Sequence, residues 1–165
     1  MAHREGIREY LKNVQVHGLV YDWGCGTKPI KNKLLPNEAK IIGIDQLDHV
    51  GADIVKNIEA CCIELGELAD FAFCLEVLEH TWESNMVISN IYDNLKEGGV
   101  LYLSQPFMYE VHKEDDRIRY TYNGLRQLLE EAGFTVEDIK PTQNVNNPTE
   151  EEMNKAWGYV VRAKK

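Results

Sequence analysis

Two glycines one residue apart, Gly24 and Gly26, follow the short apolar run 18–22. A strand that ends this way turns sharply, and where Cβ atoms are missing its main chain can lie directly against a ligand. The next apolar run, 39–44, closes on Asp45, 19 positions beyond Gly26. A carboxylate at that place can accept from both hydroxyls of a ribose. Pro29 stands where a dinucleotide fingerprint needs glycine or alanine, so the pyrophosphate cradle of nicotinamide enzymes is broken. The two features together predict a phosphate-free nucleoside site at the carboxyl ends of neighbouring parallel strands.

The rest of the chain repeats the alternation that such a sheet requires. Pro29 starts a short helix reaching about Leu35, and Pro36-Asn37 stops it. Residues 52–55 and 69–76 read as further strands, followed by a helix over 82–95 whose Ile88, Ile91 and Leu95 form one apolar stripe and whose end falls at Gly98-Gly99. A strand over 100–104 leads into an irregular stretch, 105–119. Thr121 then caps a helix carrying Leu125, Leu128, Leu129 and Ala132 up to Gly133. Residues 134–139 and 156–161 read as closing strands around the long loop 141–155, in which Asn147-Pro148 and the glutamates after it can begin a brief helix. Strand–helix alternation of this kind gives a mostly parallel sheet with helices on both faces. Only about fifteen residues precede the first strand and no repeat is visible, so residues 1–165 read as one domain with no separate substrate domain.

A single domain of 165 residues removes roughly 70% of its unfolded surface from water, enough to build a cofactor-sized cleft. An apolar share of 44% and a charged share of 27% match an ordinary soluble globule, and with no run of eighteen apolar residues and no leader, a cytoplasmic location with no membrane partner is expected. The net charge of −9 disfavours nucleic acid, whose binding is built from clustered lysine and arginine. Lys28, Lys31, Lys33 and Lys40 gather beside the glycine loop, where a solvated helix face is the simplest reading. Cys25, Cys61, Cys62 and Cys74 contain no metal or disulfide spacing and read as reduced core residues, so no metal site is expected.

Taken in order, Asp22-Trp23-Gly24-Cys25-Gly26, Asp45, the segment Asp70 to His80 ending Leu75-Glu76-Val77-Leu78-Glu79-His80, the turn 95–99, Arg119-Tyr120-Thr121 and Ala132-Gly133-Phe134 resemble a class I S-adenosylmethionine-dependent methyltransferase of the type 11 kind. The resemblance covers about residues 18–163. It implies a Rossmann-like, doubly wound, seven-stranded sheet whose last strand inserts antiparallel between the fifth and sixth. It also implies S-adenosylmethionine as cofactor, with the backbone of Trp23, Gly24, Cys25 and Gly26 at its methionine end, Asp22 organising the loop, and Asp45 with Gln46 at the ribose. Lys28 is expected to meet the cofactor's carboxylate. Asn57 stands where relatives place an acid for the adenine amine, Ile58 would flank the ring, and Leu75 or Glu76 would face the cofactor from the fourth strand.

On the acceptor side, the segment 109–119 carries His112, Asp115, Asp116, Arg117 and Arg119. His112 is the candidate for abstracting a proton, since its ordinary pKa lies near neutrality. Arg119 is expected to anchor the loop, and His80 to fix a helix start. The acceptor is expected to be a small molecule or sugar, and the protein a monomer or homodimer. A non-catalytic module that binds the cofactor for sensing or partner activation is the alternative in another class.

Overall fold

The computed structural model describes residues 3–27, 39–48, 51–111, 114–144 and 146–165. Seven strands form one sheet: β1 (Gly18–Trp23), β2 (Ala39–Asp45), β3 (Ile54–Val55), β4 (Ala69–Leu75), β5 (Leu95–Pro106), β6 (Thr135–Pro141) and β7 (Gly158–Lys164). Their order across the sheet is β3-β2-β1-β4-β5-β7-β6. The first five run parallel, whereas β7 lies antiparallel between β5 and β6, as the resemblance implies. The winding reverses between β1 and β4, and the carboxyl ends of those two strands therefore open a crevice rather than meeting a crossover.

Helices cover both faces. On one face α1 (His3–Leu11) buries Ile7 and Leu11 against Val20, Phe73, Val100, Tyr102 and Val160. On the other, α2 (Ser84–Asp93) buries Val87, Ile88 and Ile91, and α3 (Tyr122–Glu131) buries Leu125 and Leu129. Thr121 Oγ1 accepts from Gly124 N–H and caps α3, as its sequence requires. The helix ends at Gly133, whose φ of 105° suits glycine and whose missing Cβ leaves room for the Tyr92 ring. A one-turn helix, α4 (Glu150–Asn154), begins with a capping box between Thr149 and Glu152.

Three expectations need correction. The helix over 82–95 is shorter, because Asn94 closes it and Leu95 already pairs with Ala69 in the sheet. Gly98, with a φ of 78°, instead serves an irregularity within β5. The segment before β1 is not a simple lead-in but contains α1, held to β6 by the Tyr10 hydroxyl donating to Asp138 Oδ2 at 3.0 Å. Of the four cysteines, only Cys25 and Cys74 are buried; Cys61 and Cys62 are exposed. The helix expected over 29–35 lies outside the described residues.

Two buried asparagines on α2 hold the irregular segment after β3. Asn90 donates to the carbonyls of Ile58 and Ala60 and accepts from Ile63 N–H, while Asn94 donates to Ile63 O and accepts from Leu65 N–H. Each amide thus substitutes for strand pairing that this segment lacks. Replacing Asn90 by alanine strands several buried backbone groups, each costing about 1–3 kcal/mol. Urea unfolding of Asn90→Ala should show a loss on the order of 3 kcal/mol, and a loss under 1 kcal/mol would mean that water or local rearrangement satisfies those groups.

Candidate active site

The glycine loop is fixed at the crevice by backbone and carboxylate together. Gly24 and Cys25 N–H both donate to Ile44 O, at 2.8 and 3.1 Å. Gly24 has a φ of 70°, and a Cβ there would meet Val77 Cγ2 at 2.5 Å, so no other residue fits. Gly26, with a φ of 54°, differs: among the described residues a Cβ there would meet nothing within 4 Å. Asp45, only 8% exposed, accepts from Gly26 N–H through Oδ2 and from Leu47 N–H through Oδ1, both at 2.9 Å. Each carboxylate oxygen has two acceptor positions, so among the described residues one on each is left for a ligand hydroxyl.

These groups border a cleft of about 410 Å³. Of the expected cofactor residues, Gly24, Gly26, Asp45, Gln46, Ile58 and Glu76 line it. Trp23 and Cys25 are instead buried beneath the loop, and Cys25 fills the space above Gly43. Asp22 is 5% exposed under the same turn, consistent with an organising role. Asn57 is outside the cleft wall; its Oδ1 accepts from Glu59 N–H and shapes its own turn. Leu75 packs on the α1 side of the sheet. Lys28 and His112 lie outside the described residues.

The cleft also contains groups that the sequence reading passed over. Leu47 and Thr27 extend the wall beside Asp45, and Glu59 holds the Ile58 segment by accepting from Trp82 and Glu83 N–H at the start of α2. His80 borders the cleft from the 3-10 turn Leu78–His80, with Nδ1 donating to Asp115 O at 3.2 Å. Sequence reading gave His80 a structural part only, and no spacing rule could have brought it to Asp115.

A second cavity, about 440 Å³, adjoins the first, and Glu76 and His80 belong to both walls. Strand alternation would send the Glu76 side chain to the face opposite Leu75. Its φ of 58° turns it back toward α1, a left-handed backbone that costs an L-residue roughly 1–2 kcal/mol. There Oε2 lies 2.7 Å from His3 Nε2, and Oε1 accepts from Ser104 Oγ at 2.8 Å. His3 itself is 2% exposed, its Nδ1 2.9 Å from Thr142 Oγ1. Room for the imidazole is made by Gly158, where a Cβ would stand 2.3 Å from His3 Cε1. Gly6 makes the helix approach itself possible, since a Cβ there would collide with Thr142 O.

The loop over the second cavity is held from several sides. Arg119 pairs with Asp116 and donates to the carbonyls of Phe107 and Tyr109, the anchoring part expected of it. Arg117 donates to His80 O through Nη1 at 2.6 Å and stacks on Trp82 with its guanidinium 4.5 Å from the ring centre. Beneath this loop Glu79 is fully buried, and neither carboxyl oxygen has a hydrogen-bond partner among the described residues. Burial first, and then the charge of Glu76, push the Glu79 carboxyl up to about 8.

With this geometry in hand, comparison with known proteins gives a consistent family. A methyltransferase domain family model matches residues 4–139. The chain belongs to that methyltransferase family. No curated protein sequence matches it. Among solved structures, an S-adenosylmethionine-dependent methyltransferase from Clostridium acetobutylicum ATCC 824 is similar at a TM-score of 0.74 and 12% identity, covering 99% of this chain and 92% of that one. Another from Mesorhizobium loti is similar at 0.71 and 15%, covering 99% and 98%. The 4+2 cyclase SpnF is similar at 0.72 and 15%, covering 99% and 81%. At these identities the structural likeness establishes the fold.

The raised Glu79 carboxyl has a consequence for stability. An acid that ionises near pH 8 when folded and near 4.5 when unfolded keeps its proton longer in the native state. Its stabilising balance is therefore complete below about pH 4.5 and is lost as pH rises toward 8, at about 1.4 kcal/mol per unit. Glu79→Gln removes the ionisation. Urea unfolding should show the variant gaining on the wild type between pH 5 and pH 8, by on the order of 2–3 kcal/mol at neutrality. A gap independent of pH would show that Glu79 is ionised and paired.

Proposed function

We propose that the protein transfers a methyl group from S-adenosylmethionine to a small-molecule or sugar-type acceptor by in-line displacement. The observation that carries this reading is the joint placement of Gly26 and Asp45: a backbone position that is open among the described residues and a buried carboxylate, tied to each other and facing one cleft. Gly24 and Gly26 would hold the methionine end, Asp45 and Gln46 the ribose, and Ile58 with Leu47 the two faces of the adenine. Asn57, engaged in its own turn, would shape that wall rather than read the base.

Bound there, S-adenosylmethionine supplies a methyl group on a sulfonium that is already a good leaving group. The chain's own part is then mainly positional. Collinear alignment of two reactants can lower a barrier by up to about 7–11 kcal/mol. Glu76 and His80, which border both cavities, mark the seam where the two reactants would meet. Acceptors bearing phosphate or carboxylate groups at the reacting end would be opposed by Glu76 and by the negative charge of the chain.

Binding is testable without knowing the acceptor. S-adenosylhomocysteine at about 100 times its dissociation constant should stabilise the protein by roughly 2.7 kcal/mol, visible as a rise in Tm, whereas NADH should give none. Asp45→Ala should lose most of that rise. A full rise in the variant would place the ribose elsewhere, and a rise with NADH alone would replace the reading by a nicotinamide one.

A further inference from the structure

The second cavity is bounded by His3, Arg4, Tyr109, Glu110 and Val111, with Glu76 and His80 shared with the cofactor cleft. Its chemistry is uneven. Glu76 is fixed in place on both oxygens, yet a quarter of its side chain stays accessible, so lone pairs remain free on a rigid carboxylate. Thr142 Oγ–H can donate to His3 Nδ1, which leaves His3 Nε2–H directed at Glu76. The imidazole is locked by Gly6, Gly158 and Thr142 and cannot swing away. The Tyr109 ring packs beside it, 5.2 Å from the His3 ring, and Val111 is largely exposed. Among the described residues the cavity thus joins a proton-accepting carboxylate to an aromatic and an aliphatic side chain, with Arg4 and Glu110 as its other charged groups.

We propose that this cavity binds a small aromatic acceptor through its hydroxyl, and that Glu76, oriented by His3 and Ser104, takes the proton as that oxygen is methylated. The inference rests on the methyltransferase reading above. The acceptor oxygen forms its bond to the methyl carbon while the carbon–sulfur bond of the donor breaks, the electron pair remaining on sulfur as a neutral thioether. The hydroxyl proton passes to Glu76 and from there to solvent. Two carboxylates, Glu76 and Glu110, would hold an amine as its ammonium ion and so deprive it of its nucleophilic pair, which favours a neutral hydroxyl. Arg4 can accept hydrogen bonds from no group but can stabilise negative charge as it develops on the ring oxygen. His3 touches neither reactant in this scheme and acts as a positioning residue.

4-Nitrophenol is a suitable probe, since its ionisation is coloured and its methyl ether is not. The full-length protein, saturated with S-adenosylhomocysteine, should bind it, and the bound phenol should keep its proton to higher pH than the free one because it donates to Glu76. With S-adenosylmethionine the colour should fade as the ether forms. Glu76→Gln should abolish the shift in the titration of the bound phenol and lower kcat by about 100-fold or more, with KM changed only a few-fold. His3→Gln should lower kcat about tenfold and displace its pH profile, an effect that loss of packing alone would not give. Val111→Trp should raise KM with little change in kcat. S-adenosylhomocysteine binding without any binding of the phenol, or wild-type kcat in Glu76→Gln, would overturn the assignment. Failure to bind S-adenosylhomocysteine at all would instead remove the cofactor reading on which it rests.

Discussion

The reversal of strand order between β1 and β4 is the constraint on which everything else in this molecule depends. Because the chain winds one way from β1 to β3 and the other way from β4 onward, no crossover covers the carboxyl ends of the two central strands. The loops that leave those ends must diverge, and they carry Gly24 and Gly26 from β1 and Glu76 from β4. β2 ends beside them at Asp45, in register with β1 at Trp23–Ile44. A single topological fact thus places a glycine turn and two carboxylates, Asp45 and Glu76, around one opening.

Polar groups buried around that opening convert topology into shape. Asn90 and Asn94 secure a segment that has only two residues of regular strand, β3, before it turns toward the cleft. Together with Glu59, whose carboxylate accepts from Trp82 and Glu83 N–H, they fix Ile58 in a stretch, 57–62, that belongs to no strand of the sheet. Glu76 represents the opposite balance: it adopts an unfavourable backbone conformation, and the hydrogen bonds to His3 and Ser104 offset that cost. Strain of this kind is retained where the displaced side chain gains a task. Glu79, whose carboxyl oxygens find no hydrogen-bond partner among the described residues, instead has its pKa pushed up by burial.

Residues whose part depends on local spacing were legible in the sequence. The turn at Gly24 and Gly26 and the strand end at Asp45 could be read because strand ends and turns obey short-range rules, and so could Thr121 as a cap and Gly133 as a helix end. The antiparallel last strand came only through family resemblance, since nothing local in 158–164 announces its direction. Helix α1 escaped because its nine residues carry charge at Arg4, Glu5, Arg8 and Glu9, and its apolar stripe is two residues wide. Glu76, His3 and Ser104 meet from positions far apart in the chain, and no pattern in sequence encodes that encounter. Asn57 shows the converse: a plausible place in a motif gave it a ligand, while its side chain serves the turn that carries Ile58.

The structural likeness to both methyltransferases and a cyclase shows that the fold alone does not select a reaction. Selection must come from what stands across the seam from the cofactor cleft. In this chain that region is built from α1 and the loop after β5, the two parts least constrained by the sheet. Gly6 of α1, against Thr142, and Gly158 of β7, against His3, are the points of close approach that let His3 touch Glu76. The shape of the second cavity is therefore coupled to helix docking: a change that moves α1 outward would take His3 away from Glu76, the residue that borders both cavities.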